Sequence, residues 1–96
     1  MALNDLSSYS LLEAWSLGYV SDTRVSSTLP FETFGEIALA SALTGFRLGG
    51  NVRLRMHLCR GLRFKIRAAM IADGFCQKRI SQILGEEHHP RKSIAA

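Results

Sequence analysis

The 96-residue sequence contains no uninterrupted apolar run of about 18 residues, the least that a membrane-spanning helix requires, so no span is expected. Met1 to Ser10 lacks a basic segment followed by an apolar one, which sets aside a secretory leader and leaves the cytoplasm as the expected compartment. Cysteine is scarce. Cys59 and Cys76 form no motif with each other, and without a leader they read as free thiols in a reducing compartment. No Asp/Glu pair, Ser/His/Asp set or phosphate-binding glycine loop occurs in a context that supports chemistry, and Gly49-Gly50 reads as a turn, so an enzyme is not expected. His57, Cys59, Cys76, His88 and His89 match no zinc spacing, so no metal, cofactor or small-molecule ligand is expected either.

Acids are also scarce, but only in one half. Residues 47 to 96 carry eleven bases against Asp73, Glu86 and Glu87, a net charge of +8. Residues 1 to 46 carry five acids against Arg24 alone, a net of −4. This asymmetry points to a polyanion or an acidic partner surface, with partial neutralisation between the halves as the plainer alternative. The apolar share of 47 % and charged share of 21 % are those of a globular chain, and its length suits one domain.

The periodicity predicts a mainly α, single-domain helical bundle. A first helix over 10–17 is expected from a capping box, Ser10 with Glu13, and from the stripe Leu11, Leu12 and Trp15. Trp15 reads as a core anchor and Gly18 as the stop. Residues 19–29, rich in Ser, Thr and Asp, read as a loop. Pro30 suits the first position of a second helix, 30–44, with Phe31, Phe34, Ile37, Ala38, Ser41 and Ala42 at helical spacing. Residues 52–59 admit two readings. Val52, Leu54, Met56 and Leu58 alternate with Arg53, Arg55 and His57, and Leu62, Phe64 and Ile66 with Arg63, Lys65 and Arg67, which allows a short β-hairpin around 52–66 turning at Arg60-Gly61. Leu54, Leu58, Leu62 and Ile66 at i, i+4 spacing also permit a helix, a reading weakened by basic residues scattered round its axis, and Ala68, Ala69, Met70 and Ala72 favour one over 62–73.

Residues 66–85 then give a helix ending at Gly74 and a short helix over 76–84, with Ile80, Ile83 and Leu84 buried and Gln77, Lys78, Arg79 and Gln82 outside. Small residues such as Ala69 at the crossing complete the first part of a helix-turn-helix. The segment A-D-G-F-C-Q-K-R-I-S-Q-I-L-G resembles the G-x-[ST]-x-[RK]-x-I-A-x-x-L-G stretch of many bacterial regulators, with Cys76 at the usual small capping position and Ser81 where Ala is usual. It departs from them afterwards. The chain goes on as E-E-H-H-P-R-K-S-I-A-A, too short for a stable recognition helix, and 86–96 is expected to be a flexible tail whose Glu86 and Glu87 have the wrong sign for phosphates.

The whole pattern resembles the QseM antiactivators, members of a helix-turn-helix-variant family among regulators of integrative and conjugative elements of proteobacteria. The resemblance implies a regulator that binds transcription activators, a LuxR-type quorum-sensing regulator among them, and keeps them from switching on element transfer. The candidate contacts, to protein or to DNA, are Arg63, Arg67, Gln77, Lys78, Arg79 and Gln82. Ala69, Gly74, Ile80, Ile83 and Leu84 would hold the helix-turn-helix together. The alternative is a helix-turn-helix repressor that binds DNA directly through Gln77, Lys78, Arg79, Arg91 and Lys92.

Overall fold

In a computed structural model, residues 7–86 are described, and they form six helices and no strand. Helix α1 (Ser8–Ser16) starts earlier than the Ser10–Glu13 pair suggests. Ser7 has extended backbone and its side chain accepts from the Ser10 amide, so Ser7 is the cap. Leu11, Leu12 and Trp15 are buried along the expected stripe.

Helix α2 (Asp22–Thr28) lies inside the stretch expected to be a loop. Its Ser and Thr content gives it little intrinsic helicity. It is held instead by a Ser21 cap accepting from the Arg24 amide, by Val25, which is fully buried, and by contacts of Asp22 with its neighbours.

Helix α3 (Phe34–Thr44) begins four residues after Pro30. Thr33 and Glu36 form a reciprocal capping box that fixes the start, with the Glu36 carboxylate accepting from the backbone of both Thr33 and Glu32. Ile37, Ala38, Ser41 and Ala42 are buried, and the small side chains of Ala38, Ser41 and Ala42 let α3 pack against α1, α2 and α5 together.

The hairpin around 52–66 does not form. Helix α4 (Gly50–Met56) takes the first half and α5 (Leu62–Ala72) the second. Val52 and Met56 are buried one helical turn apart, while Leu54 and Leu58 face outward. Arg60-Gly61 is thus a helix–helix junction, with Gly61 in the left-handed region at φ 78°.

Helix α6 (Gln77–Leu84) packs on α5 and buries Ile80, Ile83 and Leu84 as expected. The turn between them passes through Gly74 at φ 95°, a conformation that side chains resist, so α5, the turn and α6 make the variant helix-turn-helix. Ala69 is only half-buried beside it.

Backbone bonds join this unit to the N-terminal helices. The Leu48 amide donates to the Ile83 carbonyl and the Gly49 amide to the Ser16 carbonyl, each at 2.9 Å. A Cβ at residue 49 would lie 2.4 Å from the Ser16 oxygen, so only glycine allows this approach. Arg53 closes the corner by donating to the Leu48 carbonyl at 2.7 Å.

Candidate interaction surface

Two charged clusters and one apolar stripe stand out on this frame. The first cluster centres on Asp22. Its carboxylate accepts from Trp15 Nε1 at 2.8 Å and from both guanidinium nitrogens of Arg55, at 3.0 and 2.7 Å. Arg55 also lies 4.0 Å above the Phe34 ring. Hydrogen bonding from Arg55 is the main reason that the Asp22 carboxyl stays below its ordinary range. Residues from four helices meet here, and every polar atom named has a partner inside the chain, which marks the cluster as structural. Trp15 is the core anchor expected of it, with a polar function besides.

The second cluster lies in an open cleft between α5 and α6 lined by Arg63, Arg67, Gln77, Ser81, Gly85 and Glu86. Arg63 reaches the Glu86 carboxylate at 2.6 Å, and Arg67 binds its other oxygen. Burial pushes the Glu86 carboxyl up, but the bonds from Arg67 and Arg63 outweigh it and the net shift is downward. Glu86 is also fixed through its amide, which donates to the Ser81 carbonyl at 2.8 Å. Glu86, the first residue of the expected tail, is thus bonded to both α5 and α6. An arginine pair one turn apart on α5 attracts the nearest carboxylate after α6. Residues 87–96, with Glu87, His88, His89, Arg91 and Lys92, lie outside the described residues.

The remaining candidates divide. Gln77, Lys78 and Gln82 are exposed on α6. Arg79 turns back, its guanidinium 6.0 Å above the Phe75 ring and 3.5 Å from the Gly45 carbonyl. Arg47 donates to the Gln82 carbonyl at 3.0 Å. Arg63, Arg67 and Gln77 are thus brought together in one cleft, while Lys78, Arg79 and Gln82 are not part of it.

Sequence reasoning missed the outward face of α5. Leu62, Ile66 and Met70 bury one side of this helix. Phe64, Ala68 and Ile71, at i, i+4 and i+7, lie on the opposite side, with Phe64 74 % and Ile71 57 % exposed. Reading Phe64 as part of a strand alternation hid this second stripe. With the helix assigned, its spacing would have revealed it.

Among the described residues no group of three or more His, Cys, Asp or Glu side chains is placed to hold a metal ion, and no helix is long and apolar enough to cross a membrane. Cys76 caps α6 by position and is exposed, with no side-chain bond to the helix. Comparison with protein-family models, with characterised proteins and with solved structures gave no match.

Proposed function

We propose that this chain is a small, non-catalytic transcription regulator of the cytoplasm that works by protein contact. It is an antiactivator that binds a transcription activator and masks the surface with which that activator contacts DNA or polymerase. The observation that carries this reading is the pair of large apolar side chains, Phe64 and Ile71, held in solvent on α5 beside two arginines that are already engaged by the single Glu86 carboxylate. Duplex binding draws on uncommitted cations facing phosphates, whereas exposed aromatic and aliphatic side chains beside arginine suit a protein interface. The resemblance to the QseM antiactivators supplies the class of partner, activators of mobile-element transfer including a LuxR-type quorum-sensing regulator.

A second reading, a helix-turn-helix repressor, is favoured by one observation, the exposure of Gln77, Lys78 and Gln82 along the first turns of α6. Fluorescence anisotropy on a mixed-sequence 20-base-pair duplex, titrated with the full chain across a salt series, separates the two. The antiactivator reading expects weak binding and a shallow salt dependence. Tight binding that falls steeply with salt, at a log–log slope of roughly −0.9 for each phosphate neutralised, would replace it with the repressor.

A further inference from the structure

Building on the protein-contact reading, we propose that the outward face of α5 is the docking ridge and that its occupant is an acidic amphipathic helix of the partner. Phe64, Ala68 and Ile71 form a continuous stripe of roughly 10 Å at 1.5 Å per residue, long enough to meet about two turns of another helix. The charges that α5 itself carries along this stretch are of one sign. Between residues 60 and 72 the chain carries Arg60, Arg63, Lys65 and Arg67 and no acid, and the first acid, Asp73, stands at the C-cap. Glu86 occupies Arg63 and Arg67. Arg60 and Lys65 remain, both exposed and with no ion-pair partner among the described residues.

This charge pattern selects the occupant. A wholly apolar partner would desolvate Arg60 and Lys65 without compensation, and a basic one would be repelled by them. A second copy of α5 laid parallel on the first would bring cations against cations. An anionic membrane fits poorly, because two cations and two large apolar groups offer little area and little attraction. A helix with its own apolar stripe, and with Asp or Glu flanking the end that lies over Arg60 and Lys65, satisfies both requirements. Its other end, over Ile71 and near Asp73, would carry no acid.

The test uses the full chain, labelled with nitrogen-15, and four probes of stated chemistry. These are a 16-residue peptide with Leu and Phe at i, i+4 and i+7 among Glu residues, an isomer of the same composition with the apolar positions scattered, the Lys-for-Glu counterpart, and the mixed-sequence duplex. The acidic amphipathic peptide is expected to bind, with amide shift changes concentrated in residues 60–72. The F64S/I71S double variant should weaken it at least tenfold, and Lys65→Glu severalfold, with melting temperatures unchanged because all three residues are exposed. Four results would overturn the ridge and leave the protein-contact reading standing: no peptide binding, equal binding of the scattered isomer or of the Lys peptide, shift changes centred on other helices, or concentration-dependent broadening at Phe64 and Ile71 without peptide, which marks a second copy. In a separate co-sedimentation with phosphatidylcholine vesicles containing phosphatidylserine, binding in preference to the acidic peptide would also overturn it. Tight binding of the duplex with shift changes on α6, and none of the peptide, would sink both the ridge and the reading beneath it.

Discussion

Asp22 joins residues that stand 7 and 33 positions away from it in the chain, and without it the buried Trp15 indole would lose its hydrogen-bond acceptor. Ser41 is the opposite case. It is fully buried on α3, and its hydroxyl has no hydrogen-bond partner among the described residues. A buried hydroxyl left unsatisfied opposes folding, so removing it should not harm the domain. Ser41→Ala is expected to leave stability unchanged or raise it by up to about 1 kcal/mol, read as the midpoint of urea denaturation. A loss of about 1 kcal/mol or more would mean that the hydroxyl contributes favourably.

At the level of elements, legibility followed the size of the apolar signal. The helices with a broad buried stripe, α3, α5 and α6, were legible, with their termini near the expected ones except that α3 starts at Phe34 and not at Pro30, because Ile37, Ile66 and Ile80 each sit among further apolar residues at helical spacing. Helix α2 was not, since Val25 is its single buried residue and seven residues with one anchor carry no periodicity. Helix α4 was obscured because its arginines alternate with apolar residues of which only Val52 and Met56 face the core. The candidate site was half legible. Arg63 and Arg67 could be picked out as basic, but Glu86 was assigned to the tail, and a contact across 23 residues leaves no local signal. Ile80 tests the helix pair. It is fully buried, and Ile80→Asp would set a charge in the core with no partner, enough to abolish folding in a domain of this size. A cooperative thermal melt from that variant would contradict the packing of α6 on α5.

At the scale of the molecule, the uneven charge is only partly resolved by folding. The Asp22–Arg55 pair crosses between the acidic and basic halves, whereas Arg63 and Arg67 are answered by an acid of their own half. Both acids hold their protons less tightly when folded, Asp22 through Arg55 and Glu86 because its two arginines outweigh burial. The unfolded chain therefore takes up protons first as pH falls. The stabilisation is fully present at neutral pH, starts to fade near pH 5 and is lost progressively as pH falls through the two folded-state values. Both pairs are partly solvent-screened, so the loss should total only about 1–2 kcal/mol. Urea midpoints at pH 7, 5 and 3 should fall in that order, and the D22N/E86Q variant should show a flatter profile. A midpoint that rises on acidification would contradict the sign.

The short crossing at residues 48 and 49 bears on how the molecule comes apart. Because Leu48 is bonded to the last turn of α6 and Gly49 to the end of α1, neither end can fray without breaking a bond at the centre of the chain. The helix-turn-helix is then not a detachable module, and folding and unfolding involve both halves at once. The amide hydrogens of Leu48 and Gly49, although they belong to a connecting segment, should exchange with solvent as slowly as the best-protected helical amides. Exchange at the rate of an ordinary loop would mean that the two halves open independently. If they do not, a partner gripping α5 takes hold of the whole domain.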